Sequence, residues 1–238
     1  VEKEKERSYM MQFTDLLLHP ERFFAAAGAG EPNLRVPALI ALCGAVVSGI
    51  LGYLMSEIYA EMFSAAAGAG IGAFLGIIAG ISAFLGFLFI WWLVFAGVFF
   101  VISIPMEGKG PFTRTLANVG YGLVPMVIGS VLTLALSFLY LPRVHVTMPR
   151  NLQDPAALTQ AMTGIMQDPI MREFTMVSSA ISILFLIWSA NIWIFGIRQA
   201  RELTIRNAVI TVILPVAVYV AYMAYTLIAG VPAVSGGI

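Results

Sequence analysis

Three sets of side chains in this chain are of types that could do chemistry. A short loop, Gly108-Lys109-Gly110, is followed by Arg114, and a second basic run holds Arg198, Arg201 and Arg206. A phosphate-binding P-loop needs a longer glycine spacing, a Lys-Ser/Thr ending and a preceding strand, and none of these is present. The chemistry expected of Gly108, Lys109, Gly110, Arg114, Arg198, Arg201 and Arg206 is therefore contact with anionic lipid head groups or a partner, at roughly 1 kcal/mol per cation near a charged surface. The glycines then supply a tight turn. Glu57 and Glu61 stand one helical turn apart, where two carboxylates either hold a cation or form a solvated rim. Asn118 and Asn191 are candidate polar contacts within otherwise apolar stretches, each able to hydrogen-bond a neighbouring helix.

Other chemistry lacks its residues. His19 and His145 have no Cys or second His nearby, so no metal site is expected, and no cofactor motif is present. The single cysteine, Cys43, lies in an apolar run and reads as a small buried hydrophobe. No nucleophile, acid and base converge by spacing, so an enzyme is not expected.

The elements that must position these groups follow from composition. Of 238 residues, 60% are apolar and 11% charged, and the mean hydropathy is +0.91. A soluble domain carries roughly a quarter charged residues, so this chain has too little polar surface to cover itself and reads as an integral membrane protein. Its 13 basic residues match 13 acidic ones, which leaves no basic field for nucleic acid. Five stretches are long and apolar enough to cross a bilayer as helices, about 36–55, 81–105, 116–141, 176–197 and 208–229. The expected fold class is all-α, a polytopic five-helix membrane domain over 10–230 between a solvated tail at 1–9 and a C-terminal tail at 231–238. The first run has no polar cleavage region and is expected to stay in the membrane.

Orientation follows from the positive-inside rule. With a cytoplasmic N-terminus, that side holds Lys3, Lys5, Arg7, Arg22, Arg35, Lys109, Arg114, Arg198, Arg201 and Arg206, against Arg143, Arg150 and Arg172 outside. The expectation is a cytoplasmic N-terminus and an outer C-terminus. Polar residues within the crossings are limited to Asn118, Asn191 and scattered Ser and Thr, including Ser130, Thr133 and Ser137. Ion-coupled carriers place titratable groups there, so their absence argues against coupled transport.

The connecting segments carry patterns of their own. From Met10 to Ala27, Phe13, Leu17 and Phe24 recur at near-helical spacing around Asp15, Glu21 and Arg22. This predicts an amphipathic helix broken at His19-Pro20, lying either on lipid or on the bundle. Gly68, Gly70, Gly72, Gly76 and Gly80 predict either a re-entrant segment or an early start to the second helix, packed closely on a neighbour. Asp154-Pro155 reads as an N-cap and first turn, opening a helix through Met166 with Leu158, Ala161, Met162 and Ile165 on its apolar face. Val144-His145-Val146-Thr147 alternates like a short strand.

Two inward-running hairpins share a layout. Trp91 and Trp92 precede the Gly108-Lys109-Gly110 loop, Arg114 and Pro125, while Trp188 and Trp193 precede Gly196, Arg198, Arg206 and Pro215. Both run in the same sense, so that if they are repeats they are parallel ones rather than inverted. The run from Phe13 through Pro20 with Phe23-Phe24, the loop Gly108 to Phe112 with Arg114-Thr115-Leu116, the step Gly120-Tyr121-Gly122-Leu123-Val124-Pro125, and the late Gly196-Ile197-Arg198 with Asn207-Ala208 and Pro215 together resemble the prokaryotic branch of the Yip family. The resemblance spans about Phe13 to Ile228. It implies five helices, a cytoplasmic N-terminus and a prokaryotic cell membrane, and its eukaryotic members, the Ypt- and Rab-interacting membrane proteins, act in vesicle trafficking. This sequence departs from them in the short region before Phe13, the part through which those members engage partners, which puts Rab binding in doubt. The expected role is a non-enzymatic membrane-organising or trafficking-like scaffold whose partners are lipids, proteins, or a second copy met through the glycine-rich helices. The alternative is a small-molecule or ion transporter or channel with a pathway near Gly68–Gly80.

Overall fold

In the computed structural model, residues 13–27, 32–68, 70–146, 148 and 154–229 are described. They are almost entirely helical, with no strand among the described residues. Residues 13–18 form a helical stretch that breaks at His19, and α1 (Pro20–Ala27) follows with proline at its first position. The long helices are α2 (Arg35–Ala67), α3 (Ile71–Gly86) continued by a π-helical stretch (Phe87–Val94) and α4 (Phe95–Ser103), α5 (Phe112–Gly122) with α6 (Val124–Tyr140), α8 (Pro169–Arg201) and α9 (Ile205–Ala229); α7 (Pro155–Gln167) is the short helix before α8. These make five spans long and apolar enough to cross a membrane: Arg35–Ala60, Ile71–Met106, Phe112–Arg143, Pro169–Arg201 and Ile205–Ile228.

The second span begins at Ile71, well before Ile81, because glycines let α2 and α3 close into a tight hairpin. The turn uses Gly68 at φ +112° and Gly70 at φ +90°, and the Ser64 hydroxyl accepts the Gly72 N–H at 3.1 Å. A Cβ on Gly80 would sit 3.0 Å from the Gly49 carbonyl, and one on Gly76 2.9 Å from the Ser56 hydroxyl. The segment Gly68–Gly80 is thus the helix-start reading realised. Gly72, Gly76 and Gly80 are consumed by contact with α2. At 33 residues, α2 is roughly 50 Å long against a hydrocarbon core of about 30 Å, so its far end projects beyond the apolar zone.

The inward faces of the spans meet in a main core cluster. Phe87, Trp91, Phe95 and Phe99 form a column, with Trp91 stacked on Phe95 at 4.8 Å between ring centroids and Phe99 edge-on to Trp193 at 5.5 Å. The π-helical stretch, which carries Phe87 and Trp91, widens the turn there. Ser130, Thr133 and Ser137 return their hydroxyls to α6 carbonyls. The lipid-facing side is equally apolar, and Cys43 lies there, exposed on α2, where the sequence predicted burial.

The two ends of the bundle differ. At one, the capped end, Ile58, Ile165, Met171 and Phe174 cluster under α7. Asp154 caps α7 by accepting the Ala156 N–H at 2.9 Å, as predicted, but of the predicted apolar face only Ile165 is fully buried. Val144 to Val146 are irregular, and Thr147, Arg150 and the Glu61 side chain lie outside the described residues, as do the tails at 1–9 and 231–238. The other, the basic end, gathers α1, the 107–111 loop and the α8–α9 turn.

Candidate functional site

The basic end is organised around the last residue of α8. Arg201 is only 3% exposed. Its Nε donates to the Ser103 hydroxyl at 2.8 Å, one terminal nitrogen donates to the Gly108 carbonyl at 2.6 Å, and the other donates to the Gly110 carbonyl. The guanidinium carbon lies 4.1 Å from the centroid of the Phe100 ring. In return, the Lys109 N–H donates to the Arg201 carbonyl at 2.8 Å. A buried cation is costly unless its charge is met. Among the described residues the ion pairs are His19–Asp15, His145–Asp168 and Arg198–Glu21, so no carboxylate meets Arg201. Loop carbonyls, the negative end of the α8 dipole and a ring face do so instead. A planar fork suits two carbonyls of one loop, which a lysine ammonium would not match.

This geometry explains the Gly-Lys-Gly spelling. A Cβ on Gly108 would lie 2.7 Å from the Ser103 carbonyl, and one on Gly110, which has φ +92°, would lie 2.5 Å from the Ala200 carbonyl. The glycines do supply a tight turn, and it closes around a side chain of the same protein. Ser103 and Phe100 were missed by the sequence reading. The only signal was their place at the end of the second span, just before Pro105.

A second layer lies one step deeper, on α5. Trp92 Nε1 donates to the Leu116 carbonyl and Trp193 Nε1 to the Val119 carbonyl, both at 2.9 Å, while the Asn118 amide donates to the Gly196 carbonyl at 2.8 Å. The Leu123 N–H bonds Gly120, not Val119, where α5 ends, and Pro125 has no N–H to offer Tyr121. Trp193 therefore takes up a carbonyl that the broken helix leaves free. A Cβ on Gly120 would come within 2.6 Å of Pro37 and 2.8 Å of Trp92 Nε1, and Gly122 lies directly against the Trp193 indole. The two hairpins do not act as independent repeats: their tryptophans converge on the same helix.

The N-terminal segment covers this layer. Phe24 is 1% exposed and packs against Gly196 and Tyr121, Trp188 Nε1 donates to the Leu17 carbonyl at 3.1 Å, and Glu21 meets Arg198 at 2.7 Å. Of the two readings of this helix, packing on the bundle is the one observed. Lys109 and Arg206 remain exposed and Arg114 half-buried, none of them in an ion pair among the described residues, and Glu107 and Glu202 of the same two connections are exposed as well. Arg201 thus differs from the other predicted contact residues, since its guanidinium is engaged inside the fold. The two asparagines part as well: Asn118 is buried and bonded, whereas Asn191 is exposed on α8. Gly68–Gly80, the segment of the alternative pathway, is closed against α2, and the groove beside it is lined by Val46, Gly49, Ile50, Tyr53, Gly80, Ile81 and Phe84, with no titratable group but a tyrosine. Among the described residues no group of His, Cys, Asp and Glu could hold a metal.

The family model of the Yip1 domain matches residues 14–227. The chain belongs to the Yip1 family. An uncharacterized protein of Methanocaldococcus jannaschii is 32% identical over 129 residues, covering 54% of this chain and 90% of that protein. No solved structure matches. The matched Yip1 region takes in every layer of the site, from the N-terminal cover to the Arg201 loop and the α5 break. The segments that carried the sequence resemblance fall at close-packed positions here: Gly108 and Gly110 around Arg201, Gly120 and Gly122 under indoles, Gly196 under Phe24.

Proposed function

We propose that this Yip1 family membrane protein is a non-enzymatic scaffold whose basic end faces the cytoplasm and binds anionic lipid head groups through Lys109, Arg114 and Arg206. The observation that carries the reading is the carboxylate-free burial of Arg201 beside Lys109, Arg114 and Arg206, which are in no ion pair among the described residues. Lys109, Arg114, Arg201 and Arg206 outnumber Glu107 and Glu202, so the end presents net positive charge at the depth where head groups lie. Arg198 contributes less, because Glu21 already meets it. Gly108 and Gly110 serve by holding Lys109 outward. The positive-inside count supports the same orientation. Each exposed cation is worth on the order of 1 kcal/mol toward an anionic surface. Purified protein should retain phosphatidylglycerol over phosphatidylcholine in native mass spectrometry, and the triple variant Lys109→Gln, Arg114→Gln, Arg206→Gln should lose most of that preference. Equal retention by the triple variant and the parent would sink the reading.

A further inference from the structure

α8 is the central helix of the bundle, packed against α1, α5, α6 and α9, yet one stripe along it is open. Glu173, Met176, Ala180, Leu184, Ile187 and Asn191, all exposed, recur at spacings of three and four, which places them on one side of the helix. The middle of this stripe is bare, with Leu184 62% and Ile187 56% exposed and Asn191 exposed beside them. Asn191 lies ten residues before Arg201, roughly 15 Å along the axis, and so inside the apolar zone. Among the described residues its amide has no hydrogen-bond partner, whereas Asn118, Ser130, Thr133 and Ser137 each donate to a helix carbonyl.

We infer that this stripe of α8 is the contact face of a parallel homodimer, with Asn191 of the two copies hydrogen-bonded to each other across a two-fold axis. Acyl chains offer neither donor nor acceptor, so an unpartnered amide facing them carries a desolvation cost that a bonded one avoids. An asparagine amide has both a donor and an acceptor, and two copies related by a two-fold present each to the other. The three-four spacing is that of a helix seam, in which a single asparagine fixes register and partner number. The glycine-rich helices are not available for this role, because their close-approach faces are occupied within the hairpin. The inference is independent of the lipid reading above.

The test uses full-length protein in liposomes diluted to about one chain per vesicle or several, with Cys43→Ser as background. Single-molecule photobleaching of the Cys43→Ser parent should show dimers, and Ile187→Cys or Asn191→Cys should form a disulfide-linked dimer under mild oxidation, while Val101→Cys, on a different exposed face, should not. Asn191→Leu should weaken dimerisation about three- to tenfold, and Asn191→Gln, which keeps the amide, should weaken it less. Monomers at every dilution, or crosslinking as strong at Val101 as at Ile187, would overturn the inference and leave the stripe facing lipid. Both leucine and glutamine variants dimerising as the parent does would overturn the role of Asn191.

Discussion

The two ends of α8 each bury a charge, and they do so by opposite means. At the capped end Asp168, 9% exposed, accepts the N–H groups of Ile170 at 2.8 Å and Met171 at 3.2 Å, with the His145 N–H at 3.4 Å. At the basic end Arg201 donates to carbonyls of the 107–111 loop. Both charges oppose the local helix dipole in the favourable sense, anion at the N-terminus and cation at the C-terminus. The difference lies in where the partners come from. Asp168 is satisfied chiefly by its own helix, two and three residues on. Arg201 is satisfied by residues of another hairpin, and it therefore fixes how the second and third spans sit against the fourth.

The sharpest way to break the comparison is to remove each charge in turn. Arg201→Ala should be the most damaging substitution in the molecule's basic end, because it strands the Gly108 and Gly110 carbonyls and leaves the loop without a centre. Loss of several charge-assisted hydrogen bonds at a buried site is worth on the order of 3–5 kcal/mol. Thermal unfolding in detergent should show a large fall in midpoint, and limited proteolysis should open the 107–111 loop first. Arg201→Lys should recover only a minor part, since one ammonium does not reproduce the fork. A lysine variant as stable as the parent would show that charge alone, and not geometry, holds this end.

The same contrast explains what was legible in the sequence. Asp154-Pro155 announced its helix because an N-cap and its partner are neighbours in the chain. The five spans and the break at His19-Pro20 were legible because hydropathy and proline act locally. Arg201 was grouped with Arg198 and Arg206 because nothing within a few residues distinguishes a cation bound by a distant loop from one in water. Cys43 and Asn191 show a further cause. In a soluble protein an apolar run marks the inside, but here lipid makes the outside apolar too, so hydropathy places a residue in the membrane without saying which way it faces. The glycines at 108, 110, 120 and 122 could be seen as turn or packing residues, yet the side chains they admit, Arg201, Trp92 and Trp193, come from far along the chain.

A finer comparison uses two glycines with positive φ, one at each end. Gly68, at the capped end, has φ +112° and no atom within 4 Å of where a Cβ would stand; Gly110 has φ +92° and the Ala200 carbonyl 2.5 Å away. Gly68→Ala should therefore cost only conformational strain, about 1–2 kcal/mol. Gly110→Ala should cost that strain and, in addition, push the loop off the end of α8, for a further loss of about 1–3 kcal/mol. Unfolding midpoints of the two variants measured side by side would decide it. If they fall equally, the loop is not packed on α8 as tightly as the bonds to Arg201 imply.

The smallest effect belongs to Asp168, and its signature is a dependence on pH. Burial pushes its carboxyl upward, but the backbone N–H groups of Met171, His145 and Ile170, with the His145 side chain, outweigh burial and hold it below the ordinary carboxylate value. A carboxylate whose folded pKa is depressed adds stability that is fully present above its unfolded value, about 4, and is lost as pH falls through the folded value. Asp168→Asn keeps an oxygen acceptor for the helix N-terminus and loses the charge, so it should cost about 1 kcal/mol or less at neutral pH and reduce the acid sensitivity below about pH 4. Arg201 stays charged throughout this range, so acid should loosen the capped end through Asp168 while the loop around Arg201 stays closed. Hydrogen exchange below about pH 4 would follow both ends at once: early exchange at Ile170 and Met171 with continued protection of Lys109 is expected, and the reverse order would contradict the assignment of local and distant partners to the two charges.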